Sequence, residues 1–307
     1  MMNRKILDRL FHGSARLAVA IGAGSVIAVG AVVAQPFGTW STPVSAEIGS
    51  DPALNTASND GCPILSPDGL SLYMASNRPG GLGGQDIWVA RRATTDSGWD
   101  APINLAAVNS NVDDFCPSPV RGRGLFFVSR RHEVNGDIYF TQQRPDGSYE
   151  PAVRLGPNIN SPLEEWSPSF FYDEQERPVL YFSRNTPGTN THDIYYSVEY
   201  GPAQLAPGLE GPLSEARPNV RKDGREIVFD SNRQGLDGQD VWTSTRASTS
   251  EPWGTPVHLV DVSSPGNDTR ASLSWDGTFL MVGSNRAGSE GMADIYVSHR
   301  AGPGNAQ

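Results

Sequence analysis

Cysteine is nearly missing from this chain: two residues in 307, Cys62 and Cys116. No Cys-x-x-Cys pair is present for a zinc ribbon or a dithiol redox centre, and neither His-Glu-x-x-His nor Gly-x-Ser-x-Gly occurs, so the usual metalloprotease helix and nucleophile elbow are excluded. Histidine is scarce too. Beyond the first segment it occurs as His132, His192, His258 and His299, on expected hairpins or outer strands, and no histidine-rich metal centre is predicted. Bases are outnumbered, 24 against 34 acids, which sets the chain against nucleic acid and anionic membrane surfaces. Beyond residue 35 no apolar stripe recurs at i, i+3, i+4 and i+7, so helices are not expected. What is abundant is turn chemistry. With 33 Gly and 24 Pro the chain reads as many short strands joined by tight turns.

The first 34 residues read as an export signal. Arg4, Lys5, Arg9 and Arg16 form a basic start, Leu17 to Ala34 is uncharged, and Val32-Val33-Ala34 has the small-residue pattern of a cleavage site. The competing reading is an uncleaved anchor, since 18 apolar residues just span a bilayer. Glycine content and the cleavage pattern favour a signal, hence a periplasmic or secreted protein with no membrane insertion after cleavage. Four bases and one acid leave with the leader, taking the formal charge from −10 to about −13.

Internal repeats organise everything after it. Unit one carries Asp60-Gly61-Cys62-Pro63, Ser66-Pro67-Asp68-Gly69, Ser76-Asn77-Arg78, Asp86-Ile87-Trp88 and Trp99-Asp100-Ala101-Pro102. Degenerate copies start at Asp114, Glu165, Glu215 and Asp268, and each unit encodes four short strands. One such sheet cannot bury both faces, so the units must stack as blades. The fifth copy ends without its Trp-x-x-Pro strand, and Trp40-Ser41-Thr42-Pro43-Val44 supplies a match just after the leader. The expected fold is all-β: one five-bladed β-propeller over 35–307, with blades at about 59–107, 112–157, 163–208, 213–261 and 266–300. Residues 40–47 should close it as the outer strand of the last blade, removing the open edges.

Ser66-Pro67-Asp68-Gly69, Ser76-Asn77-Arg78-Pro79-Gly80-Gly81 and Asp86-Ile87-Trp88 resemble the TolB-type, WD-like repeats of exported bacterial propellers. The resemblance covers the whole mature chain and implies a fold rather than an activity. TolB itself has six blades and an extra N-terminal α/β domain, so its role in the Tol envelope system is not implied. The recurring Arg and Asp around one hairpin (Arg78 with Asp86, Arg131 with Asp137, Arg233 with Asp240, Arg286 with Asp294) predict a structural pair fixing the turn.

Chemistry is sought where the repeats differ. Strict alternation along the innermost strands would line the channel with five acids, Asp60, Asp114, Glu165, Glu215 and Asp268. Two residues on, the same face would read Cys62, Cys116, Ser167, Arg217 and Arg270. Three readings follow: a structural ring of carboxylates bonded to backbone N–H or arginine; a binding mouth; or a glycan-cleaving site. The binding mouth would hold a divalent cation at the acids, or a polar ligand, a small molecule or glycan, with Arg217 and Arg270 gripping a carboxylate and Trp166 offering a stacking face. The cleaving site would use Glu165, Glu215 or Asp268 as acid and base. A binding module is the leading expectation, with no required cofactor and a monomeric state. A glycan hydrolase and a protein-interaction platform are the alternatives. Cys62 and Cys116 occupy equivalent places on adjacent blades, which predicts a bridge, against the alternative of two free thiols facing the channel.

Overall fold

The computed structural model describes residues 37–233 and 238–303, so the export signal expected at 1–34 lies outside the described residues. Strand β1 is Val44–Ser45. Blade one holds β2 (Asp60–Leu65), β3 (Ser71–Ser76), β4 (Asp86–Arg91) and β5 (Ile103–Asn104). Blade two holds β6 (Asp114–Val120), β7 (Gly124–Ser129), β8 (Asp137–Gln142) and β9 (Val153–Arg154). Blade three holds β10 (Glu165–Tyr172), β11 (Pro178–Asn185), β12 (His192–Val198) and β13 (Gln204–Leu205). Blade four holds β14 (Glu215–Val220), β15 (Glu226–Ser231), β16 (Asp240–Thr245) and β17 (Val257–His258). Blade five holds β18 (Asp268–Leu273), β19 (Phe279–Ser284) and β20 (Asp294–His299), and β1 completes it in the order β1-β20-β19-β18. The five antiparallel sheets form a propeller ring whose first strands stand side by side around a central channel.

Closure reuses a device already present within blades. After the third strand an arginine stacks on the Trp that opens the fourth: Arg92 lies 4.2 Å from the Trp99 ring centre and Arg246 4.1 Å from that of Trp253. The same arginines donate from Nε to the carbonyl of the turn glycines Gly69 and Gly224. At the junction of the chain ends Arg300 does both, lying 4.3 Å from Trp40 and donating to Gly277. Val44 pairs with Val297 and Ser45 with Tyr296. These turns sit where an Asp-Gly pair sets the conformation: Gly69, Gly224 and Gly277 have φ of 71°, 71° and 74°, open to glycine at no steric cost.

The core is a set of apolar layers between neighbouring blades. Phe171, Tyr181, Phe229 and Trp242 pack between blades three and four, and Met74, Trp88, Met281 and Ile295 between blades one and five. A blade's two faces are thus buried by different partners, which is why strands read as near-continuous apolar runs.

Candidate functional site: the two ends of the channel

The Ser-Asn-Arg motif has a different job from the one its hairpin position suggests. Arg78 does not pair with Asp86. It reaches back to the entry acid of its own blade, Asp60, at 2.6 Å, and donates to the carbonyl of Leu54. Arg131 does the same to Asp114, Arg184 to Glu165, Arg233 to Glu215 and Arg286 to Asp268. Ser76 Oγ accepts from Arg78 N, and Asn77 Oδ1 accepts from the backbone N of Asn59, just before the acid. The third-strand Asp86 instead holds its own loop, accepting from the backbone N of Leu82 and Gly83. Asp137, expected opposite Arg131, is taken by Arg154, while Asp240 faces His258 and Asp294 accepts from Glu290 N. The physical reason is that an acid inside the ring has no water to solvate it, so the guanidinium is drawn to it rather than to the solvent-side loop.

All five entry acids are 0% exposed. Four also accept from the backbone N and hydroxyl of a Ser or Thr four residues earlier: Thr56, Ser110, Ser161 and Ser264. Burial holds the carboxyls of Glu165 and Glu215 above their ordinary range, against the bonds from Ser161 and Ser231 and the pull of Arg184 and Arg233. Alternation along the strand fails between acid and channel. Cys62, Cys116, Ser167, Arg217 and Arg270 all have φ between 46° and 57°, and each sits at a shift of register between first and second strands. A bulge of this kind inserts one extra residue and re-aims the side chains after it. The acids therefore turn away from the channel, and the left-handed residues line its mouth.

That mouth is narrow, a cavity of about 30 Å³ walled by Cys62, Cys116, Ser167, Arg217 and Arg270. Cys62 and Cys116 are joined in a disulfide with Cα atoms 5.0 Å apart. Trp166 stands half-buried beside it, stacked on His192 at 5.1 Å and held by Nε1–H donation to the carbonyl of Asn135. Among the described residues no three His, Cys, Asp or Glu side chains are placed to share a metal ion, so the five acids give the cation expected at the mouth no common donor set.

Sequence reasoning missed Asp230. It occupies the place of Ala75, Val128, Ser183 and Gly283 in the other second strands, and an acid among those small and apolar residues was the available signal. It is 0% exposed, accepts from Arg217 Nη1 at 2.8 Å and from the backbone N of Arg270 at 2.8 Å. Burial pushes its carboxyl up to about 6 despite both arginines.

The opposite end of the channel is wider. A chamber of about 250 Å³ takes lining residues from every blade, among them Ile64, Ser118, Ser169, Asn219 and Trp275. Phe170 and Tyr172 form part of its wall. Its rim carries Trp275 between two cations from other blades, Arg121 at 4.8 Å and Lys222 at 4.6 Å from the ring centre. Burial and the neighbouring Arg121 charge hold the Lys222 ammonium below its ordinary range. Trp275 and Lys222 stand where blade one has Pro67, so this departure from the repeat was legible but unread. Of the carboxylates lining the chamber, Asp173 is tied to Arg177 at 2.7 Å, and the bonds from Arg177 and Gln175 keep it low.

No protein-family model matches the sequence, and no curated protein matches it. Solved structures do match. A thermostable family-43 glycoside hydrolase aligns at 15% identity and TM-score 0.57 over 82% of this chain and 91% of its own. An endo-arabinase from Bacteroides thetaiotaomicron aligns at 16% and 0.54 over 85% and 97%. A putative TolB from Agrobacterium tumefaciens aligns at 15% and 0.49 over 88% and 92%. The two hydrolase structures align over most of both chains, so the TolB-type motifs do not single out a TolB protein. At such identities the likeness shows the fold alone: the chain is a five-bladed β-propeller.

Proposed function

We propose that the chain is an extracytoplasmic binding module whose ligand, a small polar molecule of the glycan class, occupies the chamber at the Trp275 end. The observation that supports this is convergence: residues that depart from the repeat, Arg121, Lys222 and Trp275, meet at the rim of one cavity shared by all five blades. An indole and aromatic walls suit the apolar C–H face of a sugar ring, while Ser118, Ser169 and Asn219 offer hydroxyl and amide partners. At about 250 Å³ the chamber falls just short of the roughly 300–1,000 Å³ usual for drug-sized ligands, a size for about one sugar unit. The extracytoplasmic setting rests on the leader.

The glycoside hydrolase names of the structural neighbours favour a second reading, cleavage of a glycosidic bond. It needs two carboxylates free to reach substrate, one of them with a raised pKa. The expected candidates Glu165, Glu215 and Asp268 are each buried beneath an arginine instead. Calorimetric titration of the purified chain with a panel of mono- and disaccharides, alongside a hydrolase screen, separates the two. Saturable binding weakened about tenfold or more in Trp275→Ala, without turnover, supports the module. Turnover abolished by substitution of any ring acid that still folds establishes the hydrolase in its place.

A further inference from the structure

At the narrow mouth two guanidiniums face one carboxylate. Arg217 is engaged, donating to Asp230 at 2.8 Å and to Gln239 at 2.6 Å. Arg270 is not. Its backbone N–H serves Asp230, but among the described residues no ion pair or side-chain hydrogen bond takes up its guanidinium. The Nε atoms of both arginines are shielded from solvent and without a hydrogen-bond partner.

The fold has also made room for Arg270. A Cβ at Gly61 would lie 3.0 Å from Arg270 Nη1, and Gly283 stands against Gly61 from the neighbouring blade. The other blades carry Phe115, Trp166, Ala216 and Thr269 at the first position, and Ala75, Val128, Ser183 and Asp230 at the second. Two glycines thus meet where this side chain lies. A partly buried charge that must share its one carboxylate with a second guanidinium is costly, since the water that would solvate it is excluded. Burial, and after it the Arg217 charge, pushes the Arg270 guanidinium down to about 10 against the pull of Asp230.

We infer that the Arg217–Arg270 mouth is an anion site that takes the carboxylate head group of a small ligand. The edge of a guanidinium presents two parallel N–H groups matched to two coplanar oxygens, and the cavity of about 30 Å³ admits such a head group while the remainder stays outside beside Trp166. The serine hydroxyls of the lining are already engaged, Ser167 Oγ donating to Cys116 Sγ and Ser272 Oγ to the Pro63 carbonyl, so the further oxygens of a tetrahedral phosphate would meet only the Asn219 amide. The site lies at the other end of the channel from the chamber and does not depend on what the chamber binds.

Acetate is the probe. Side-chain 15N spectra of the arginine Nε groups are followed during titration of the purified chain with acetate, at ionic strength held constant with chloride. Saturable movement of the Arg270 Nε resonance, with its loss in Arg270→Met, is the expected result. The same variant should show an apparent Kd for acetate at least tenfold weaker, read by thermal shift. No movement with acetate overturns the assignment, and so does equal movement with chloride. Should Arg270→Met not fold, Gly61→Ala, which crowds Nη1, must weaken acetate binding, and unchanged affinity there overturns it as well.

Discussion

Replacing Trp40 by Ala tests whether the chain ends hold the ring together. Trp40 is 8% exposed and packs among Ala271, Leu273, Leu280 and Val282 of blade five. Removing a buried Trp costs about 3–5 kcal/mol, and losing the Arg300 cation–π contact about 0.5–1 more, so a loss near 4 kcal/mol is expected. For a chain of this size each kcal/mol lowers Tm by about 2–4 °C, so the melting point should fall by roughly 10 °C. The backbone bonds of the segment, Gly38 N to Ala301 O and Ser41 N to His299 O, would stay available to it but lose their anchor. Trp99→Ala is the internal standard: the same contact with an arginine at 4.2 Å, inside one blade rather than across the termini. Urea denaturation of both variants and the parent measures the two losses. If Trp99→Ala shows the full loss while Trp40→Ala stays within about 1 kcal/mol of the parent, closure by the N-terminal segment does not stabilise the ring.

Arg286→Ala leaves Asp268 buried without its guanidinium and should cost about 3–5 kcal/mol by denaturation, far more than a surface pair; a loss below about 1 kcal/mol would show the acid to be solvated after all. Thiol titration of the unreduced, denatured protein should find no free thiol, and reduction should remove about 4 kcal/mol, the chain-entropy value for the 54-residue separation; two titratable thiols would refute the bridge. Asp230 gives a pH signature whose sign follows from its raised carboxyl. The folded chain holds that proton up to about pH 6 and the unfolded chain only to about 3.8, so the contribution is complete below pH 4 and is lost as pH rises through 6. Asp230→Asn should therefore gain stability relative to the parent between pH 4 and pH 7, by on the order of 3 kcal/mol, and a flat difference in urea midpoints across that range would contradict the burial argument.

Blade number and closure were written in the sequence because they depend on local signals that recur. The apolar second strands recur about every 50 residues, and Asp-Gly turns mark units one, four and five. An aromatic followed by proline opens the outer strand of units one to four (Trp-x-x-Pro at Trp99 and Trp253, Tyr-x-Pro at Tyr149 and Tyr200), so the orphan copy at Trp40 completes the fifth. Partner choice inside the repeat was not local. Arg78 lies nearer in sequence to Asp86 than to Asp60, yet burial of Asp60 decides the pair. The entry acids fell on the channel face only under unbroken alternation, and one left-handed residue per first strand, Cys62 to Arg270, breaks that phase without any composition signal of its own. The sequence placed Cys62 and Cys116 at equivalent positions, while the 5.0 Å approach that joins them comes from the narrowing of two blades toward the axis. Asp230, Arg217 and Arg270 sit in three strands of two blades, and Arg121, Lys222 and Trp275 in three different blades. Their convergence exists only once the ring is closed, because a repeat specifies each blade alone and the channel belongs to all five.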